Sequence, residues 1–242
     1  MIFTNLIQTN LRTKIFGKEI EYYQRLGSTN KEAWELIENG EATHGMIIIT
    51  DHQFKGKGRS GNSWFMSPSK GIAMSLILLE SLSFKIARLI PLVAGIAMAK
   101  TLNNRGFSPK LKWPNDIFFG SKKLIGFLPR VITRGKEIIY VRVGLGMNVL
   151  NYTPSEGISL SKVLQTKNIN QHYWTAKVLK AFYDAIECNK KKEYVIKSAN
   201  KFLTKSFLPS GYCPHTWKIK DIDSNGHLRI ENETQLKVIR RF

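Results

Sequence analysis

The sequence predicts an α+β fold: a mixed β-sheet with helices on one side, then a small β appendage. Three observations predict it. Short β-branched or apolar runs at residues 46–50 and 72–79 are joined by a glycine-rich loop, so strand follows strand without an intervening helix. Stretches of helical period, at 84–102 and 171–203, are interspersed with these runs instead of alternating with them one for one. From Pro209 onward the chain turns to Gly, Pro and short strand-like runs.

Taken in order, Ser28-Thr29-Asn30, with Glu32 two residues on, opens a helix that runs through Ile37 and stops at Gly40. Strands follow at 46–51 and 72–79. Residues 84–102 read as an amphipathic helix, with Ile86, Ile90, Val93, Ala94, Ala97 and Met98 at helical spacing. Asn103-Asn104-Arg105-Gly106 ends it. Short strands at 111–113 and 116–119 flank Pro114, and Gly120-Ser121 makes a hairpin turn. Residues 123–133 and 138–149 form a second hairpin around Arg134-Gly135-Lys136. Residues 171–203, rich in Ala, Lys and Leu, are helical. Runs at 217–220 and 227–230 flank the turn Asp223-Ser224-Asn225-Gly226. The expected division is 1–205 for the main domain and 206–242 for the appendage.

Composition narrows the function classes. The 242 residues suit one substantial domain with a small addition. No stretch reaches 18 uninterrupted apolar residues, and the start lacks a secretion pattern. The two cysteines, Cys188 and Cys213, are far apart, which argues for a reducing, cytoplasmic setting. Thirty-seven Lys and Arg against eighteen Asp and Glu give a net charge of +19. Such a field favours anionic partners, yet the basic residues are scattered and no nucleic-acid-binding motif appears.

The segment Gly56-Lys57-Gly58-Arg59-Ser60-Gly61-Asn62-Ser63-Trp64 is the most informative. Its glycines let backbone N–H groups approach a phosphate, Lys57 and Arg59 can neutralise it, and Trp64 offers a flat face to a base. Gly56, Gly58 and Gly61 satisfy G-x-G-x-x-G, but a dinucleotide fold requires a helix next, and residues 62–71 are dense in Ser, Pro and Gly. A Walker A loop is excluded because no Gly-Lys-Ser/Thr closes the run.

Further segments belong with this loop: Ser28-Thr29-Asn30, Asp51-His52-Gln53, Lys112-Trp113-Pro114-Asn115-Asp116, Lys123-Leu124-Ile125-Gly126 and Gly144-Leu145-Gly146-Met147-Asn148. In this order and spacing they resemble the biotin–protein ligase family, short form, across residues 28–160. The resemblance implies a catalytic domain related to class II aminoacyl-tRNA synthetases, with an SH3-like appendage that looks incomplete here. It implies that biotin and ATP are substrates, with Mg²⁺, and that a biotin carboxyl carrier protein or domain accepts biotin through biotinyl-AMP. Ser28, Thr29, Asn30, Gln53, Gly56, Lys57, Lys123 and Gly126 match biotin-contacting positions. Gly58, Arg59, Trp64, Asn115, Asp116 and Asn148 match positions around the nucleotide. Lys123, Arg59 and Asp116 would carry the chemistry, and Asp116 would meet Mg²⁺ directly or through water. For Thr29 a helix-capping role is an equal alternative, and Trp113 is assigned to the core.

Relatives often carry an N-terminal DNA-binding unit. Only 27 residues precede Ser28, so specific DNA binding is not expected; no membrane association is expected, and a homodimer is left open. The pattern also departs from the family. Lys57 stands where arginine is usual, Ser60 and Asn62 thin the loop's cations, and Phe127-Leu128-Pro129-Arg130 replaces Ile-Leu-x-Glu, reversing a charge. The alternatives are a lipoate or octanoate ligase of the same fold, whose Arg-Arg-x-x-Gly-Gly-Gly loop is absent here, and a catalytically weak biotin-binding module.

Overall fold

The computed structural model describes residues 2–11, 13, 15–79, 89–134, 137–188 and 192–240. Its helices are α1 (Thr4–Asn10), α2 (Thr29–Glu38), α3 (Ile90–Asn103), α4 (Leu160–Val163), α5 (Gln171–Cys188) and α6 (Lys192–Phe202). The strands are β1 (Ile20–Tyr23), β2 (Ile47–Thr50), β3 (Gly71–Leu78), β4 (Lys110–Lys112), β5 (Asp116–Phe119), β6 (Lys122–Arg134), β7 (Glu137–Asn148), β8 (Lys218–Ile222), β9 (Leu228–Glu231) and β10 (Leu236–Ile239). The first seven form one sheet in the order β1-β2-β3-β7-β6-β5-β4, parallel at β1–β2 and antiparallel elsewhere. The mixed sheet is as the sequence predicts.

Strand alternation gives the sheet two different faces. Ile47 and Ile49 of β2 join the main core, as do Ile125 and Phe127 of β6 and Val143, Leu145 and Met147 of β7. Ile48 points the other way, packing with Ala33, Met46 and Ile77 beneath α2. Helices α1, α3, α5 and α6 therefore gather on one face, while α2 covers part of the opposite face. That second face is where β6 and β7 carry Gly126, Leu128, Gly144 and Gly146.

Helix α3 corrects one expectation. It spans Ile90–Asn103, and the predicted start with Phe84 and Ile86 lies outside the described residues. Its expected apolar stripe is absent, because 11 of its 14 residues are buried. An all-round apolar helix is a buried one: the sheet lies on one side, and Ala176, Val178, Val195 and Ala199 of α5 and α6 join the same core. The helical stretch 171–203 divides into α5 and α6, with 189–191 outside the described residues.

The C-terminal strands form a three-stranded antiparallel sheet, β10-β9-β8. Its turn is as expected: Asp223 Oδ1 accepts from the backbone N–H of Asn225 (2.7 Å) and of His227 (2.9 Å). Ile219, Ile222, Leu228 and Ile230 share the main core. Asn200 brackets Ile222 with two hydrogen bonds, and Trp113, buried as assigned, donates from Nε1 to Gly226 O at 3.0 Å. Among the described residues, no helix is long and apolar enough to cross a membrane.

Candidate functional site

The site is built on the sheet face that α2 leaves partly open. Its floor is a grid of cross-strand neighbours: Ala73, Gly146 and Gly126 in one row, Ser75, Gly144 and Leu128 in the next. The glycines permit close approach. A Cβ on Gly144 would meet the Asn30 amide at 2.1 Å, and one on Gly146 would meet the Trp64 indole at 2.3 Å. Asn30 and Trp64 thus lie directly on β7, bounding a cavity of ≈140 Å³.

At one end of this cavity the polar groups of α2 and the β2 exit meet. Gln53 Oε1 accepts from the backbone N–H of Thr29 (2.9 Å) and from its hydroxyl (3.3 Å). Ser75 Oγ lies 3.0 Å from Thr29 Oγ1 and 3.1 Å from Asn30 Oδ1. Gln53 and Thr29 are buried, and the Gln53 amide nitrogen has no hydrogen-bond partner among the described residues. The capping alternative for Thr29 fails: Ser28 is the N-cap, without a side-chain cap bond, and Thr29 spends its hydroxyl on Gln53.

The opposite end is charged. Lys123 Nζ pairs with Asp116 Oδ2 at 2.8 Å and lies 5.6 Å from the Trp64 ring centre. Asp116 Oδ1 is buried without a hydrogen-bond partner among the described residues. Arg59 reaches Asn115 Oδ1 at 3.5 Å, while Asn115 Nδ2 donates to Phe127 O and Phe127 N donates back to Asn115 O (3.1 Å). Asn115 is therefore held on β6 through Phe127 and touches Arg59 only at the long limit of a hydrogen bond. The glycine loop closes as a small hairpin, with Gly58 N donating to Asn62 O (2.7 Å) and Trp64 N to Gly56 O (2.9 Å). Lys57, Arg59 and Lys123 line the cavity with Asp116 as its only lining carboxylate among the described residues. The net field there favours an anion.

Thr29, Asn30, Gln53, Lys57, Gly58, Arg59, Trp64, Asn115, Asp116, Lys123 and Gly126 all line the one cavity. Three sequence-predicted residues stand outside it. Ser28 faces an adjoining groove. Gly56 lies beneath, where a Cβ would strike Gln53 Nε2 at 2.6 Å. Asn148 is buried, bonding Lys123 O (3.3 Å) and accepting from Asn151 Nδ2 (2.9 Å), so it orients the lysine's backbone. Further back, Tyr22 donates to buried Asp51 at 2.7 Å; burial, then this bond, pushes the phenol up to about 12 and anchors the strand end before Gln53. The sequence reading did not place Ser75, Gly144 and Gly146 in the site. Two glycines two residues apart in a strand were the available signal; a lone serine in β3 gave none.

The glycine loop, the lysine–aspartate pair and the buried polar groups thus share one sheet face, and the cations among them suit an anion. The chain belongs to the biotin/lipoate A/B protein ligase family, whose model matches residues 22–148. It is 32% identical over 151 residues to the bifunctional ligase/repressor BirA of Bacillus subtilis, covering 62% of this chain and 46% of that protein. It is 30% identical over 186 residues to the biotin–protein ligase of Homo sapiens, covering 74% of this chain and 25% of that one. The chain thus spans less than half the length of these relatives. The biotin protein ligase from Aquifex aeolicus, solved with biotin and ATP, shares the fold with a TM-score of 0.72 at 23% identity, over 92% of this chain and 95% of that one.

Proposed function

We propose that this chain activates biotin with ATP as biotinyl-5′-AMP and passes the biotinyl group to a lysine of a biotin carboxyl carrier domain. The observation that carries the reading is that one cavity holds both a neutral polar group and a charged one. Thr29 and Gln53 meet at one end; Arg59, Lys123 and Asp116 meet at the other. A ureido ring presents one acceptor and two donors. The Gln53 amide nitrogen can donate to that acceptor, and the Thr29 hydroxyl, which gives its proton to Gln53 Oε1, keeps a lone pair that can accept one of the two N–H groups.

A carboxylate attacking a polyphosphate is anion meeting anion, so charge neutralisation and alignment matter more than an enzyme nucleophile. In this reading Lys123 holds the biotin carboxylate against the α-phosphate. The carboxylate oxygen bonds to phosphorus as pyrophosphate leaves. Arg59, beside Asn115, grips the resulting phosphate ester. The acceptor amine then attacks the acyl carbon and AMP departs. The unpartnered Oδ1 of Asp116 is a hard oxygen suited to Mg²⁺ arriving with ATP, directly or through water. Residues 1–205 carry this chemistry and 206–242 brace it through Trp113 and Asn200.

The test is pyrophosphate release from Mg-ATP with biotin, with lipoate or with neither. Biotin-dependent release followed by labelling of a single carrier lysine is expected. Release with lipoate alone would transfer the assignment to the lipoate branch, and release with neither acid above background would leave only a binding module.

A further inference from the structure

Beside the catalytic cavity lies a wider groove of ≈780 Å³ between α2, the glycine loop and β6. Among the described residues, five cations line it, Lys31, Lys55, Lys57, Arg130 and Arg142, and no carboxylate does. Among the described residues only Lys31 of these has an acidic partner, Glu35 at 2.6 Å. Arg130 and Arg142 stand directly opposite each other on β6 and β7. Like charges in that relation destabilise a sheet. Arg142 is only 8% exposed, its Nε has no hydrogen-bond partner among the described residues, and Nη1 donates to the backbone carbonyl of Asn30. Burial first, and the Arg130 charge second, hold its pKa below the ordinary guanidinium value. Exposed Arg130 stacks over Trp34 at 5.6 Å. Neither arginine pairs with a carboxylate among the described residues.

Two adjacent guanidinium groups without a counter-charge form a site built for an oxyanion. Position decides which one. Arg130 shares its sheet face with Leu128 and Gly126, so the pair stands four residues along β6 from the catalytic end, or about 13 Å at the usual strand rise. The groove meets the catalytic cavity at Asn30, Lys57, Gly58 and Leu128. Pro129 lies beside the pair and has no N–H for strand pairing, so the groove offers charge more than backbone.

The geometry points to an acceptor-docking site in which Arg130 and Arg142 receive an aspartate or glutamate of the carrier domain, within about 13 Å of its accepting lysine. This rests on the ligase reading above. The carrier's carboxylate would supply the missing counter-charge and seat its lysine toward Lys57 and the loop.

The experiment compares the unaltered chain with Arg130→Glu and Arg130→Gln. Two quantities are read: biotin-dependent pyrophosphate release without acceptor, and the KM for a biotin carboxyl carrier domain at low and high salt. Arg130 is exposed, so both variants should fold. Acceptor KM should rise on the order of tenfold in Arg130→Glu at low salt, less in Arg130→Gln, and converge at high salt, with pyrophosphate release unchanged. Carrier domains whose acidic residues near the target lysine are changed to lysine should narrow or reverse the difference. Normal pyrophosphate release with an acceptor KM indifferent to Arg130→Glu would overturn this inference alone. No biotin-dependent release from the unaltered chain would overturn the ligase reading and this inference with it.

Discussion

Replacing Gly146 by alanine tests whether the cavity depends on the close seating of Trp64. The new Cβ would stand 2.3 Å from Trp64 Cε2 and 2.7 Å from both Cδ2 and Cζ2. Carbon atoms pack at about 3.5–4.0 Å, so the indole must withdraw by roughly 1.3 Å. It cannot withdraw freely, because Trp64 N is tied to Gly56 O at 2.9 Å and Gly56 itself packs against Gln53. Overpacking of this kind costs about 1–3 kcal/mol. In a chain of this length each kcal/mol lowers Tm by about 2–4 °C. Strain that the loop absorbs instead reappears at the site, where about 1.4 kcal/mol is a tenfold loss of rate. Gly146→Ala should therefore lower Tm by several degrees, or cut biotin-dependent pyrophosphate release at least tenfold, or divide its effect between them. Scanning calorimetry beside the pyrophosphate assay reads both. Gly27→Ala is the control, since its Cβ would meet only Phe54 Cζ, at 3.8 Å. If Gly146→Ala were as silent as Gly27→Ala in both assays, the seating of Trp64 on β7 would not be what shapes the cavity.

Lys123→Ala should cut single-turnover adenylate formation by about 10²–10³ while biotin binding changes far less, because its charge counts most where negative charge accumulates. Equal losses in binding and turnover would contradict that. Arg59→Ala should still form adenylate but release it, labelling bystander lysines indiscriminately; loss of adenylation without leakage would reassign the arginine. Amides of residues 57–63 should exchange rapidly in the free chain and slow on addition of biotin with Mg-ATP, by hydrogen-exchange mass spectrometry, and an unchanged pattern would mean the loop is already closed. Arg229, through its hydrogen bond, holds the Asp221 carboxyl below the ordinary aspartate value. A depressed folded-state pKa gives stability that is full above the unfolded value and lost as pH falls through the folded one. At this partly exposed site Asp221→Asn should cost at most about 1 kcal/mol at pH 7. In denaturation curves the gap should start to narrow as pH falls below the ordinary aspartate value and close once pH has passed the depressed folded-state value; a gap that did not narrow at all over that fall would exclude the ion pair as its source.

Much of this was legible because the decisive signals are local. The β-branched run at 47–50 and the long apolar alternation of β6 and β7 announce strands whatever surrounds them, and the glycine loop announces an anion site from residue types alone. What the sequence hides depends on packing at a distance. The stripe expected on α3 presumed a solvent face, yet α5 and α6 occupy it, and nothing within 90–103 says so. That α2 lies across the sheet from the other helices follows from Ile48 pointing away from Ile47 and Ile49, a fact of strand pleat without a mark of its own. Within the site, the motif match of Asn115 and Asn148 says nothing of their hydrogen bonds, which join one to β6 beside Arg59 and the other to the Lys123 backbone. Arg142 looks like any basic strand residue until its register opposite Arg130 is known.

The size of the cavity bears on how the site operates. At ≈140 Å³ it is smaller than the roughly 300–1,000 Å³ that ligand pockets usually offer, and the indole of Trp64 occupies the adjoining space over Gly126 and Gly146. On the function proposed above, an acyl-adenylate enters this cavity only if the glycine loop yields. The bonds that oppose this include three backbone hydrogen bonds within the loop and the Arg59–Asn115 contact at 3.5 Å, which is at the long limit for such a bond. At about 0.5–1.5 kcal/mol each, they resist opening by only a few kcal/mol. A phosphate that exchanges the Asn115 contact for a charge-assisted one to Arg59, worth about 1.5–3 kcal/mol, offsets that cost. On that proposal the cations in the loop do more than neutralise a nucleotide. They make loop rearrangement depend on the anion's presence, so the hydrogen bonds lost when Trp64 lifts are replaced by bonds to the molecule that needs the room.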